Sequence, residues 1–98
     1  MADADTLYDV VIAGAGPAGM QAAIYTARAN LKTLVIGYPK GSQLYKAHVV
    51  GNYYGVPTTI TGPQLIENAA NALKEYGVEL LEAEVVNISQ KADKTFAV

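Results

Sequence analysis

The sequence of 98 residues has no cysteine and no tryptophan, one histidine (His48) and one phenylalanine (Phe96). Without cysteine there is no disulfide, no thiolate metal ligand and no redox dithiol within these residues. An excess of either charge is also lacking. Seven basic and nine acidic residues give a formal net charge of −2, which excludes the basic footprint of a nucleic-acid or anionic-membrane binder. The N-terminus carries Asp3, Asp5 and Asp9 and no basic residue before Arg28, so it does not read as a secretory signal. No hydrophobic run is long enough to span a bilayer, because the apolar stretch over residues 10–20 is short and broken by Gly-Pro. Metal-ligand spacing, a Ser-His-Asp order and a P-loop lysine are all missing. A soluble, cytoplasmic chain is the expectation, with neither membrane nor nucleic acid as partner and no metal.

What is present is a 51% hydrophobic composition, enough for one small domain, and one stretch that organises it. Residues 8–37 read YDVVIAGAGPAGMQAAIYTARANLKTLVIG. An apolar strand signal runs into Gly14-Ala15-Gly16-Pro17-Ala18-Gly19, then a small-residue helix, then a second apolar run. Strand, Gly-rich turn, helix and strand make the unit that binds a dinucleotide pyrophosphate. Gly14 permits the sharp turn. Gly16, without a Cβ, lets a diphosphate approach the backbone, and Gly19 lets helix and strand pack closely. Pro17 suits a first helical turn, where its missing N–H costs nothing. The free N–H groups and positive dipole end of that helix then face the phosphates. With no basic surface to help, backbone dipoles must hold the anionic cofactor.

The coarse order is a polar leader over residues 1–7, then a strand over 8–13, apolar on both faces as a central parallel strand should be. A helix over about 18–30 follows, with Ala18, Ala22, Ala23 and Ala27 as its narrow packing face, and then a strand over 33–36. Residues 37–60 have no clear periodicity and are rich in Gly, Pro and Tyr; a loop this long is usually functional. Thr61-Gly62-Pro63-Gln64 reads as a capping box opening a second helix, with Leu65, Ala69, Ala72, Leu73 and Tyr76 facing inward and Gly77 as its stop. A third strand covers 78–81. Residues 83–89 and 95–98 read as two antiparallel strands with a turn near 91–94. Glu67, Glu75, Glu79, Glu82 and Glu84 have no basic partner nearby in sequence and read as a solvated face.

The predicted fold is α/β, a Rossmann-like βαβαβ three-layer FAD/NAD(P)-binding domain with parallel strand order 3-2-1 and the start of a β-meander. Right-handed crossovers place both helices on one face of that sheet. The opposite face is expected to be bare, and the apolar first strand makes a poor free edge. The sequence also ends on Phe96-Ala97-Val98, inside a strand signal. The domain is therefore expected to be incomplete, and to be finished by the rest of a longer flavoprotein or by a second chain.

The motifs carry a family likeness. The Gly14–Gly19 signature, Ala22-Ala23-Ile24-Tyr25 and Ala27-Arg28-Ala29-Asn30-Leu31 resemble the N-terminus of low-molecular-weight thioredoxin reductases, within the pyridine nucleotide-disulfide oxidoreductases. Gly41-Ser42-Gln43-Leu44 is similar to that family's GGQL turn, Gly51-Asn52-Tyr53-Tyr54-Gly55 to its E-N-[FWY]-P-G segment, and Thr61-Gly62-Pro63-Gln64-Leu65 to its [ST]-G-[PE]-x-L helix start. The resemblance covers nearly the whole chain. It implies that residues 1–98 are a single FAD-binding segment without the NAD(P)H domain of the complete, homodimeric protein. Gly14, Gly16, Pro17, Ala18 and Gly19 would follow the FAD pyrophosphate, with Gly37 at the end of the second strand. Gln43, Leu44 and Asn52 would lie toward the flavin, and Val85 would meet the adenine through its backbone. A glutamine amide, both donor and acceptor, suits the polar edge of an isoalloxazine. Electrons would pass from NAD(P)H through FAD to a disulfide acceptor.

The sequence departs from the pattern in places. The acid that a dinucleotide fingerprint carries at the end of its second strand is replaced by Gly37-Tyr38. Ser42 and Gly51 stand where the family has glycine and glutamate, and Tyr54 where it has proline. Other readings stay open: a flavin oxidoreductase lacking CxxC, of ferredoxin-NADP reductase or dithiol-oxidase type, a non-catalytic FAD- or nucleotide-binding module, or a truncated fragment. His48 and Tyr45, Tyr53 and Tyr54 could approach a flavin or simply pack the loop. No residue reads as a catalytic nucleophile or acid, so the chain is not assigned a catalytic residue.

Overall fold

A computed structural model describes residues 6–98. Strand β1 (Val10–Ala13) leads through the glycine turn to α1 (Pro17–Arg28) and on to β2 (Thr33–Ile36). A single 3-10 turn (Pro39–Gly41) opens the long loop. Helix α2 (Gly62–Glu75), β3 (Glu79–Leu81) and a small hairpin of β4 (Ser89–Gln90) and β5 (Phe96–Ala97) complete the order. The three longer strands form one parallel sheet in the order β1-β2-β3, as the βαβαβ pattern predicts.

Alternation along β2 sorts the sheet into two faces. Val35 lies between Ile12 of β1 and Leu80 of β3 in register, and it is fully buried with Met20 and Ala23 of α1 and Ile66 and Leu73 of α2. Both helices therefore cover one face. Thr33, on the same side, is buried, and its hydroxyl lies 2.8 Å from that of Thr26 in α1. The β-branched residues of β2 supply stiff apolar side chains that suit a buried strand, and the small side chain of Ala23 lets α1 sit close to them.

Helix α1 packs with a different phase from the alanine pattern. Ala18 and Ala22 are exposed, while Met20 and Ala23 are buried and Ile24 and Ala27 lie against the core. The cause is Gly19. A Cβ there would collide with the carbonyl of Gly14 and come within 3.3 Å of the Ile12 side chain, so Gly19 faces the sheet, and Ala23 and Ala27 follow at four-residue intervals. Asn30, in the left-handed region at φ 62°, ends the helix.

Helix α2 begins on the expected capping box. The Thr61 hydroxyl accepts from Gln64 N–H at 3.2 Å, and the Gln64 carboxamide oxygen accepts from Thr61 N–H at 2.9 Å. Its inner stripe is Ile66, Ala69, Ala70 and Leu73. Tyr76, expected to face inward, is exposed, because it falls at the C-cap, beyond the last turn that meets the core. Gly77 at φ 74° makes the predicted stop.

The second face of the sheet is not bare. Val11, Ala13, Leu34, Ile36 and Leu81 look toward Ile88, Phe96 and Val98 across a cavity of about 690 Å³, and Leu34 and Ile36 are buried. Ile88, Phe96 and Val98 stand on the far side of this cavity and are each more than half exposed. The paired strands of the hairpin are shorter than predicted: Ser89 pairs with Ala97 and Gln90 with Phe96, and residues 83–88 carry no regular structure. Among the described residues β1 pairs only with β2. No helix among them is long and apolar enough to cross a membrane.

Glu79 also departs from the solvated-face reading. It is half-buried and accepts a hydrogen bond of 2.5 Å from the Tyr8 hydroxyl, which ties the start of β3 to the segment before β1. Lys32 lies over the Tyr8 ring, 5.1 Å from its centroid, and its backbone N–H donates to Asp9 at 2.7 Å. All of this is at the amino end of the sheet, away from the glycine turn.

Candidate cofactor site

The carboxyl ends of the three strands meet at one edge. Gly14 N–H donates to the Ile36 carbonyl at 2.8 Å, and Gly37 N–H donates to the Leu81 carbonyl at 3.0 Å. The chain leaves β1 through Gly14 at φ 133°, a conformation that side chains resist. A crevice outside the carboxyl ends of parallel strands is where open α/β sheets bind ligands.

The glycines of this edge divide into two groups. Gly19 and Gly37 are glycine for internal reasons: Gly19 abuts Gly14, and a Cβ on Gly37 would lie 2.8 Å from the backbone nitrogen of Ala15. That contact leaves no room for an acidic side chain at Gly37, while Tyr38, the other residue of that slot, is exposed. Gly16 is different. Its backbone, at φ −85° and ψ −171°, is open to any residue, and a Cβ there would meet nothing within 4 Å except Ser42 Cβ at 3.8 Å. Folding does not require glycine at this position; a ligand passing close to the backbone would.

Gly16 is the N-cap of α1. It offers no side-chain cap, and the first turn has no acidic residue. The first bond in the helix runs from Met20 N–H to the Gly16 carbonyl at 3.0 Å. The Ala18 and Gly19 N–H groups are the orphan donors of a helix start, at the positive end of the dipole. Pro17 and Ala18 are exposed beside them.

The long loop forms the other wall. Gly37 abuts Ala15 and Ser42 faces Gly16, so residues 37–42 wrap the turn. Beyond them Gln43 is exposed, whereas Leu44 and Tyr45 are half-buried against the core. Gly62 holds this loop from below. It is buried, its N–H donates to the Ala47 carbonyl at 2.9 Å, and a Cβ on it would collide with the Leu44 carbonyl. The structure thus gathers Gly14, Gly16, Pro17, Ala18, Gly19 and Gly37, with Gln43 and Leu44 next along the wall. Asn52 is exposed in a turn of the loop closed by Val50 N–H on the Ile60 carbonyl at 2.8 Å. Val85 is half-buried four residues after β3. Neither takes part in the contacts that shape the turn. Tyr53, Tyr54 and His48 are exposed. Sequence reasoning missed Ser42 and Gly62 as parts of this wall. The capping box pointed to Gly62, and the serine in place of a family glycine pointed to Ser42.

Comparison with known proteins agrees with this architecture. The pyridine nucleotide-disulphide oxidoreductase family matches residues 8–98. The chain belongs to that family. Within it the likeness is to low-molecular-weight thioredoxin reductases. The thioredoxin reductase of Peptoclostridium acidaminophilum is 41% identical over 85 residues, which are 86% of this chain and 27% of the relative. A solved thioredoxin reductase from Gloeobacter violaceus superposes with a TM-score of 0.81 at 38% identity, over 86% of this chain and 27% of that one. A ferredoxin-flavin thioredoxin reductase from Clostridium acetobutylicum gives 0.79 at 32% identity, over 91% and 31%. The chain therefore spans between about a quarter and a third of the length of these thioredoxin reductases. The predicted Rossmann-like class and family likeness hold.

Proposed function

We propose that residues 1–98 are a single FAD-binding segment of a thioredoxin-reductase-like flavoprotein. The observation that carries this is Gly16, a glycine that neither its dihedrals nor its neighbours require, at the open start of a helix. The chain's residues fit the cofactor. Gly16 clears a path for the diphosphate, and the orphan N–H groups of α1 carry the partial positive charge that holds it. Gly14, Gly19 and Gly37 fix the shape of that cradle, with Pro17 and Ala18 on its rim. Gln43 offers an amide donor and acceptor toward the flavin edge, followed by Leu44 and Asn52, and the Val85 backbone serves the adenine. When bound, FAD supplies the redox chemistry that links NAD(P)H to a disulfide acceptor. The NAD(P)H site, the dithiol and the homodimer contacts belong to the rest of a longer protein or to a second chain, and the setting is the cytoplasm. No residue of this segment is assigned a catalytic step; it binds and orients.

The likeness to a ferredoxin-flavin thioredoxin reductase favours a second reading of the electron donor, with ferredoxin in place of NAD(P)H. Both readings use the same cradle. The deciding experiment is gel filtration of the purified chain with FAD, followed by its visible absorption spectrum. Co-elution of the flavin band, and its loss in Gly16→Val at unchanged melting temperature, supports the proposal. Equal flavin retention by the variant would sink it.

A further inference from the structure

We infer that Ser42 is a positioning residue for the diphosphate of the cofactor, an inference that rests on the FAD-binding reading above. Two observations carry it. First, Ser42 Cβ is the one group within 4 Å of the place a Gly16 side chain would occupy, at 3.8 Å. The space cleared by Gly16 is thus a slot with the α1 N-terminus on one side and Ser42 on the other. Second, the Ser42 hydroxyl proton is committed within the loop. It donates to the Pro39 carbonyl at 2.8 Å and accepts from Tyr45 N–H at 3.2 Å. A hydroxyl has one proton, so Ser42 does not donate to a phosphate in this arrangement. It acts through the loop, stapling Pro39 of the 3-10 turn to Tyr45 and so holding its own Cβ as the wall beside Gly16. Gly62 holds the next stretch through Ala47, so the wall is fixed at two points. A glycine at 42 would supply neither bond, and a larger residue would close the slot.

The test is titration of FAD and of ADP, which carries the diphosphate without the flavin, into the 98-residue chain and its variants. Ser42→Ala keeps the Cβ wall and removes the staple. It is expected to weaken both ligands in parallel, by between about two-fold and ten-fold, the range for one to two lost neutral hydrogen bonds in a surface loop. The Tyr45 amide should exchange faster in this variant while the melting temperature holds, because a surface loop opens without unfolding the core. Ser42→Val should fill the slot and abolish binding of both ligands, again at unchanged melting temperature. Wild-type affinity in both variants, or an unchanged Tyr45 exchange rate in Ser42→Ala, would overturn the inference alone. Failure of the unmodified chain to bind either FAD or ADP would overturn the reading that this segment holds the cofactor by itself, and this inference with it.

Discussion

A side chain on Gly19 would begin inside the carbonyl of Gly14, so the start of helix α1 and the turn after β1 meet backbone to backbone, with the Ile12 side chain 3.3 Å from the same point. This contact sets the phase of α1 and aims its N-terminus across the strand ends. It also separates two glycines that a motif treats alike. Gly19→Ala forces backbone to move in a packed region and should destabilise the fold by about 3 kcal/mol, the upper part of the range for overpacking. Gly16→Ala adds a methyl in open space and should change stability by less than about 0.5 kcal/mol, while weakening flavin binding. Urea denaturation of the two variants, beside flavin titration, checks both halves. A Gly16→Ala variant as unstable as Gly19→Ala would mean that Gly16 has a folding role.

The second prediction concerns the buried polar pair between α1 and β2. Thr33 is 3% exposed. Its hydroxyl lies 2.8 Å from that of Thr26 and 3.1 Å from the Leu31 carbonyl, and the Thr26 hydroxyl lies 3.1 Å from the Ala23 carbonyl; with one proton each, one hydroxyl donates to the other, which donates to its own carbonyl. Thr33→Val keeps the shape and removes the hydroxyl, leaving Thr26 with its helix bond. A loss of about 1–2 kcal/mol is expected. The double variant Thr26→Val/Thr33→Val should cost less than the sum of the two singles, since each single already removes the one contact between the hydroxyls. Strict additivity in thermal melts would show that the hydroxyls do not interact.

The third prediction tests how α2 supports the site wall. Thr61→Ala removes one half of the capping box and should cost about 1 kcal/mol, with flavin binding little changed. Gly62→Ala should do more, because its Cβ has no room against the Leu44 and Ala47 carbonyls. It must push the 44–47 turn away from α2, so flavin affinity should fall together with stability. Amide exchange at Lys46 and Ala47, whose N–H groups bond Gln43 and Leu44 carbonyls at 3.2 and 3.1 Å, is the direct readout. Protection there unchanged in Gly62→Ala would refute the coupling.

What the sequence made legible was local. The spacing of Gly14, Gly16 and Gly19 encodes backbone conformation and close approach directly, and Thr61 with Gln64 encodes a helix start through bonds three residues apart. Most of the failures involve tertiary contacts that no local pattern encodes. The phase of α1 depends on a contact between a helix and the turn before it, which composition cannot reveal when alanines lie on several faces. The residues that face Leu34 and Ile36 across the cavity, Ile88, Phe96 and Val98, lie far along the sequence. Glu79 reads as unpartnered in sequence because its partner, Tyr8, is 71 residues away. Ser42 reads as a simple loss of glycine, and only the placement of Gly16 beside it shows a wall.

The fourth prediction lies in the hairpin across the cavity from the second sheet face. Asp93 accepts from the Thr95 hydroxyl at 2.6 Å and from Thr95 N–H at 3.0 Å, inside a turn closed by Lys91 N–H on the Thr95 carbonyl at 2.7 Å. The Thr95 hydroxyl bond first, then the backbone bond, hold the carboxyl below the ordinary aspartate value of 3.8; desolvation opposes them more weakly, and the charge of Lys91 adds a still smaller downward pull. A carboxylate with a depressed pKa stabilises the folded turn fully above its unfolded value, and that contribution is lost as pH falls through the folded one. Amide protection in the β4–β5 turn should therefore be constant from neutral pH down to about pH 4 and drop only in stronger acid. Carbon-detected NMR titration of the Asp93 carboxyl should give a midpoint below 3.8. Thr95→Ala should move that midpoint up, because it removes the leading cause and leaves the backbone bond. A midpoint at or above 3.8 in the unmodified chain would show that the Asp93–Thr95 bonds do not persist in solution, and the hairpin would then need another source of order to keep Phe96 over the sheet.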